Sequence, residues 1–484
     1  MMFGIIAAGA YIPRLRLARQ LIAEANGWLN PALVGQGKGE RAIANWDEDA
    51  VTMAVEAARD ALAGLERKGI SGVHLASTTF PFLDRLNAGI VIEALNLASG
   101  ADALDIGGTQ RAATSALRNA LDRPSQTLII AAEKRRAKAA SPIEMTSGDG
   151  AAAVLVGAGD PIARLIASAT QTVDFVDHYR TTESVYDYQW EERWVREAGY
   201  LAIVPPVIAR CLENAGLRPS DVSRFCMPTA LPRVANAIAK AAGIADAALA
   251  DSLHAGCGDT GTAHSLIMLV AALEEAKPGE RILVVGFGQG ADALLFEVIT
   301  AMPTQPARLG VKGHLARRLE ETSYAKFLAF NENIEVERGM RAEVDALTPL
   351  SALWRNREAI TGFIGGKCRI CGTVQFPKSR VCVNSNCNAF DTQESHPFAD
   401  KIGRINSYTA DRLTYSPNPP ACYGMIQFDG GGRWIMDFTD VEPDSLAVDL
   451  PMRMMFRVKN VDAQRGFRRY FWKASPASST SESV

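Results

Sequence analysis

Two close pairs of cysteines, Cys368-Arg-Ile-Cys371 and Cys382-Val-Asn-Ser-Asn-Cys387, are the sharpest chemical signal in the chain. Thiolates spaced in this way sit on two tight turns and surround one Zn²⁺ tetrahedrally. Gly372 follows the first pair, and Asn384, Ser385 and Asn386 fill the second, so turn-forming residues are in place. The second gap is wider than the usual two residues. A structural zinc held by Cys368, Cys371, Cys382 and Cys387 is the expectation, with no open position for chemistry.

Other residues could do acid–base work. Asp259 lies in Cys257-Gly-Asp-Thr-Gly261, just before an apolar helical pattern over Thr262 to Glu275. Burial there raises a carboxyl pKa and suits a general base; capping the helix would use the same residue. His254 and His264 flank the turn. His264 reads as helix packing, whereas His254 could face a pocket mouth. A further segment, Asp174-Phe-Val-Asp-His-Tyr-Arg180, runs on to Tyr186, Tyr188, Trp190-Glu-Glu-Arg-Trp194 and Tyr200. His178 is its acid–base candidate, or else a satisfied structural histidine. The aromatics suit a pocket for a flat or bulky group, and equally an interface. Gly286-Phe-Gly-Gln-Gly290 is a glycine turn, without the βαβ spacing of a nucleotide fingerprint.

The elements that must position these groups follow from length and pattern. A chain of 484 residues exceeds one compact core. A net charge of -3 argues against nucleic-acid binding. Cys211, Cys226, Cys257 and Cys422 show no disulfide pattern, which with a zinc site suggests a reducing, cytoplasmic setting. The apolar start, Met2 to Tyr11, lacks a basic region and reads as a buried strand. No apolar run is long enough to cross a bilayer.

The first 300 or so residues alternate strands and helices in α/β fashion. Asp47, Glu48 and Asp49 precede a helical pattern from Val51 to Leu62. Thr127 to Ala132, Gly150 to Val156 and Arg281 to Phe287 read as buried strands. Ser147-Gly-Asp-Gly150 before one strand echoes Gly286 to Gly290 before another, a weak internal duplication. The expected organisation is two halves, 1–165 and 166–302, a helical connector 303–362, a zinc ribbon 363–395, a five-stranded OB-type barrel 396–475 and a disordered tail 476–484.

This organisation resembles the thiolase superfamily, in its 3-hydroxy-3-methylglutaryl-CoA synthase branch. Gly9-Ala-Tyr-Ile-Pro13, Asp47 to Met53, Gly258-Asp-Thr-Gly261 and Gly286 to Asp292 carry the likeness. Residues from about 355 to 474 resemble the rubredoxin-like zinc ribbon plus OB fold that accompanies thiolase-type proteins in acyl-CoA metabolism, most specifically at Gly365 to Pro377. The resemblance implies a duplicated αβαβα fold, coenzyme A as co-substrate and a homodimer or larger even assembly, paired near Asp105 to Thr114. Laid on the family pattern, the nucleophilic cysteine falls on Gln110, the histidine on Cys226, the asparagine on Asp259 and the synthase's glutamate on Thr78. An amide cannot attack a thioester, although it can imitate an acylated cysteine. Cys226 and Cys257 are the thiols closest to the expected pocket; small buried hydrophobes would look the same. The turn holding Gly288 and Gly290 is implied to offer a backbone N–H to the thioester oxygen.

The function expected from these residues is CoA-dependent cleavage or formation of a carbon–carbon bond, of retro-Claisen or retro-aldol type, without an acyl-cysteine. The substrate is a β-keto or β-hydroxy acid or acyl-CoA, and the aromatics suit a bulky or aromatic acyl group. Decarboxylation is a variant. Alternatives are a silent scaffold partnering an acyltransferase, a synthase-like acyltransferase using another cysteine, or a single-strand nucleic-acid module resting on Arg465, Arg468, Arg469 and Lys473.

Overall fold

The structure is a computed structural model that describes residues 2–123 and 125–477. The chain forms two units. The first comprises Met1–Asn45, Asp49–Val91 and Ala98–Glu335; the second comprises Trp46–Glu48, Ile92–Leu97 and Val336–Val484. The helical connector therefore does not stand by itself. Helices Gly310–Ala316 and Tyr324–Phe330 belong to the first unit, and Leu350–Arg355 and Arg357–Ile360 to the second.

The first unit is built twice from one plan. In the first half, Met2–Tyr11 pairs antiparallel with Gly150–Gly159, which pairs antiparallel with Gln126–Glu133. The latter runs parallel to Ile70–Ala76, and that parallel to Asp102–Ile106 at the edge. The second half repeats every step. Ala163–Thr172 pairs antiparallel with Gly290–Val298, and that antiparallel with Arg281–Phe287. Arg281–Phe287 runs parallel to Arg224–Cys226, and a lone bridge from Phe225 to Leu249 marks where the fifth strand would lie. The two halves join at Ile5 and Ala163.

Helices complete the layers. Ala50–Ala61 packs on strands of the first half and Ala202–Ala215 on strands of the second. Between them, Ala112–Leu121 and His264–Glu275 touch each other and strands of both halves. Ala112, Ala113, Ala116 and Ala120 are buried, and such small side chains let strands of both halves approach the helix closely. The ordering αβαβα agrees with the expectation.

Local chemistry explains the boundaries. Asp49 caps Ala50–Ala61, accepting from Thr52 N–H at 3.0 Å, while Thr52 Oγ1 accepts from Asp49 N–H at 2.8 Å. Asp47 and Glu48 do other work. In the second unit Asp47 accepts from Lys473 Nζ at 2.8 Å, and Glu48 pairs with Arg457 at 2.9 Å. Lys473 also lies over the Trp46 ring, and Arg465 pairs with Asp462. Half of the basic run expected to face nucleic acid is thus already neutralised by acids of the chain.

In the second unit, Ile364–Cys368 pairs with Val374–Gln375 and with Gln393–Pro397. A five-stranded sheet follows in the order Arg433–Asp437, Ala421–Phe428, Gly403–Asp411, Pro451–Asp462, Phe467–Pro476. Phe438 bridges Ala474 in parallel, which brings its two outer strands together. Phe363 is fully buried, with Phe376 at 4.8 Å, Phe398 at 5.7 Å and Trp472 at 6.0 Å between ring centroids. Pro476 belongs to the last strand rather than to a tail. Residues 478–484, where disorder was expected, lie outside the described residues. No helix among the described residues is long and apolar enough to cross a membrane.

Candidate active site

The two central helices begin at one cavity. Gln110 precedes Ala112–Leu121, and Asp259 and Gly261 precede His264–Glu275. Gln110, Asp259 and Gly261 line the cavity with Tyr200, Pro228, Ser265, Gly286 and Phe287. Its volume is ≈ 20 Å³, room for about one water. A bulky acyl group does not fit among these side chains as they stand.

The start of the first central helix is locked to the second half. Arg111 Nη1 donates to buried Asp292 at 3.0 Å, and Thr114 Oγ1 donates to the same carboxylate at 3.0 Å. Thr109 Oγ1 and Arg111 Nε donate to Gly288 O at 2.8 and 2.9 Å. A side chain on Gly288 would stand 2.5 Å from Thr109 Oγ1, so glycine is required for this approach. The expected oxyanion role of Gly288 and Gly290 meets a difficulty. Gly288 N–H donates to Gly290 O at 3.0 Å, which closes the turn rather than leaving that donor to a substrate.

Gln110 is held firmly. With the amide oriented by its partners, the carbonyl oxygen accepts from Arg135 Nη1 at 2.9 Å, Arg135 Nη2 at 3.1 Å and His178 Nε2 at 3.1 Å. His178 Nδ1 lies 2.9 Å from Asp177 Oδ2, and Gln289 Nε2 donates to Asp177 Oδ1 at 3.0 Å. Both ring nitrogens thus face oxygens, which fixes the plane of the ring. Arg135 is ion-paired with Asp187, which Arg180 also contacts at 3.2 Å. Burial pushes the Asp187 carboxyl up, but Arg135, Arg180 and His178 outweigh it and hold it below the usual carboxylate range.

Asp259 is almost fully buried. Burial alone would raise its pKa, as the sequence led one to expect, yet the balance goes the other way. His264, His254, Arg135 and the Gly261 N–H together hold the carboxyl below its ordinary value. Gly261 N–H donates to Asp259 Oδ1 at 2.8 Å, so a capping bond exists beside the cavity-facing position. His264 is structural, as expected. Its Nδ1 accepts from Thr260 N–H at 3.0 Å and its Nε2 lies 2.7 Å from Ser252 O. His254 packs on His264 at 4.9 Å and does not line the cavity. Burial and His264 push its ring down to about 4. Although His254, Asp259 and His264 gather within 4.8 Å, both nitrogens of His264 are engaged, so they do not form a ready metal centre.

The remaining thiols lie elsewhere. Cys226 is fully buried in the apolar core, 3.7 Å from Met268 O. Cys257 is buried beneath its own turn, with Leu253 O at 3.3 Å and Gly258 O at 3.4 Å. Burial pushes each thiol up to about 12. Neither lines the cavity, and burial disfavours a thiolate on each. Of the aromatic cluster only Tyr200 lines the cavity, on the π-helical turn Val195–Leu201, stacked on Phe287 at 4.0 Å. Tyr179, Tyr188, Trp190 and Trp194 are 51%, 54%, 53% and 51% exposed, which places them on the surface instead.

Sequence reasoning missed Glu133, Arg135 and Asp187. Glu133 is fully buried and accepts from Thr78 Oγ1 at 3.2 Å and Thr79 Oγ1 at 2.9 Å. Its carboxylate therefore sits against Thr78, the residue that falls on the synthase's glutamate, and burial pushes it up. The available signal was Glu133-Lys-Arg-Arg136, a charged run closing a buried strand.

At the second candidate site, the sulfurs of Cys368, Cys371, Cys382 and Cys387 gather within 4.8 Å of one another. Cys368 Sγ is 3.9 Å from Cys387 Sγ, and Cys371 Sγ 3.5 Å from Cys382 Sγ.

A duplicated sheet plan around two buried helices, with polar groups gathered where both helices begin, is the fold of the thiolase superfamily. Residues 212–297 match the family of 3-oxoacyl-[acyl-carrier-protein] synthase III C-terminal domains. Hydroxymethylglutaryl-CoA synthase of Archaeoglobus fulgidus is 30% identical over 349 residues, 69% of this chain and 100% of the relative. That of Aeropyrum pernix is 28% identical, covering 66% and 91%. A solved HMG-CoA synthase complexed with CoA superposes with a TM-score of 0.57 at 21% identity, covering 70% of this chain and 93% of the other. The chain belongs to the hydroxymethylglutaryl-CoA synthase family and is an enzyme of the thiolase superfamily.

Proposed function

We propose that the chain breaks or forms a carbon–carbon bond in a β-keto or β-hydroxy acid, or its acyl-CoA, with coenzyme A as co-substrate and without an acyl-cysteine. In the retro-Claisen direction, Asp259 takes the proton of the CoA thiol and the thiolate adds to the β-ketone. The carbon–carbon bond then breaks, its electron pair passes into an enolate, and Asp259 returns the proton to the enolate carbon. The products are a new acyl-CoA and the shortened acid or thioester. One observation carries the reading: a carboxylate, Asp259, shares a cavity with an amide, Gln110, at the position where the resemblance places a thiol. The burial of Cys226 and Cys257 speaks against an acyltransferase that uses another cysteine.

The four clustered sulfurs support a structural zinc. A Zn–S distance of about 2.3 Å in a tetrahedron separates sulfurs by about 3.8 Å, close to the spacings found. The strand order and the Phe438–Ala474 bridge support an OB-type barrel beside a zinc ribbon. Eight free thiols suit a reducing cytoplasm.

The tightness of the cavity favours a second reading, a silent scaffold for another acyltransferase. Purified protein mixed with acetoacetyl-CoA and CoA separates the two. Release of acetyl-CoA that is lost in Asp259→Asn supports the enzyme; no release at any protein concentration supports the scaffold.

A further inference from the structure

We infer that Arg135 is a positioning residue of this site, and that through it Gln110 serves the substrate as a hydrogen-bond donor. The inference rests on the reading that acyl chemistry occurs in the cavity lined by Gln110 and Asp259. Arg135 itself does not line that cavity. Its guanidinium lies behind Gln110, buried, with both terminal nitrogens on the amide oxygen at 2.9 and 3.1 Å. His178 Nε2 supplies a third donor at 3.1 Å. A carbonyl oxygen offers two lone pairs, so three donors saturate it. What Gln110 has left is its NH₂ group, directed away from Arg135 and His178. The amide is therefore clamped with oxygen inward and nitrogen towards the cavity.

Both clamps are themselves anchored. Asp187 holds Arg135, Arg180 holds Asp187, and Arg180 also donates to Thr78 O. Arg135 Cδ would stand 3.1 Å from a side chain on Gly261, so glycine there lets it pass beneath the cavity wall. Asp177 and Gln289 hold His178. An amide standing in for an acylated thiol would present its carbonyl to the cavity. This one presents two N–H groups from the start of a helix, where partial positive charge already gathers. The chemistry that fits is an oxygen acceptor on the substrate, a thioester carbonyl or ketone that becomes an enolate or alkoxide.

The test uses purified full-length protein and acetoacetyl-CoA labelled with ¹³C at its carbonyls. Infrared difference spectra should show a bound carbonyl band at lower wavenumber in the wild type. Gln110→Glu keeps the shape and the acceptor for Arg135 but loses the N–H donors. It should abolish the shift and lower kcat by about 10²–10³-fold with KM little changed. Arg135→Met should lower kcat in the wild-type background yet add nothing to Gln110→Ala, because the clamp then has nothing to hold. If Arg135→Met does not fold, Arg135→Lys keeps the charge opposite Asp187 and should show the same background dependence. A Gln110→Glu enzyme with the band shift and rate intact overturns the inference. So does an Arg135 variant that costs the same factor in both backgrounds. Asp259→Asn should leave the band shift in place while turnover falls, so a wrong base and a wrong donor give different results.

Discussion

Gln110 and Asp259 occupy corresponding places in the two halves of the duplicated unit, each just ahead of a central helix, and both line the same cavity. The two halves have diverged in what they supply there. One brings an amide whose oxygen is saturated by Arg135 and His178. The other brings a carboxylate whose charge is favoured by His264, His254 and Arg135 despite burial. Donor and acceptor thus face one space from two helix N-termini.

Asp259→Asn preserves shape and removes only basicity. It should lower kcat by about two to four orders of magnitude while substrate binding changes little. The pH dependence follows from the direction of the shift. The folded carboxyl lies below its ordinary value of about 3.9, so its ionised form and the stability that form contributes are both present above that pH. They are lost only as pH falls through the folded value. The acid limb of kcat/KM assigned to Asp259 should therefore lie below pH about 4, and its disappearance in Asp259→Asn checks the assignment. Near-normal turnover in the variant returns Asp259 to its capping bond with Gly261.

Buried thiols near 12 carry almost no thiolate at neutral pH. Incubation with acetyl-CoA or acetoacetyl-CoA should leave the intact mass unchanged, with no acyl adduct on Cys226 or Cys257. Native protein treated with iodoacetamide should also keep Cys226, Cys257 and Cys211 unmodified, Cys211 being pushed up to about 11 by burial. An adduct on Cys226 or Cys257 would remove the nucleophile-free mechanism.

The repeated strand plan was legible because buried strands and amphipathic helices leave strong periodic patterns, as in Gln126–Glu133 and Ala50–Ala61. Gln110 and Asp259 were legible through the glycine-bounded segments around them. Arg135 and Asp187 were not. They lie in different segments, and their pairing exists only once the strand end at Glu133 meets the loop after His178. The pKa of Asp259 was read with the wrong sign because burial alone was weighed. Burial can be guessed from apolar neighbours in sequence, whereas the offset needs the charges brought against the carboxyl in the fold, first His264 and His254, which flank the turn, and then Arg135, which is remote in the chain. Asp47 and Glu48 looked like helix-start acids, but their partners, Arg457 and Lys473, come from the far end.

Elemental analysis should find about one zinc per chain, released by a chelator together with loss of near-UV dichroism from the Phe363 aromatic cluster. Cys382→Ser should lower metal content to near zero, since a three-sulfur set with a hydroxyl holds zinc far more weakly. Well-folded protein without metal would defeat the assignment.

The last prediction concerns assembly. Asp102–Ile106 is the outer strand of the large sheet, paired on one side with Ile70–Ala76. Its other edge pairs with no strand among the described residues, and Leu104 is 42% exposed. A row of backbone donors and acceptors of this kind can pair with the same strand of a second copy about a two-fold axis, and that is the interface expected here. The loop leading to Gln110 follows this strand directly, so pairing would also steady the start of the central helix. Sedimentation should give a dimer or a larger even assembly at micromolar concentration. Leu104→Lys places like charges close together across the axis and should shift the protein towards monomer, with a matching loss of turnover. A wild-type protein that sediments as a stable monomer at that concentration would count against this edge as the interface.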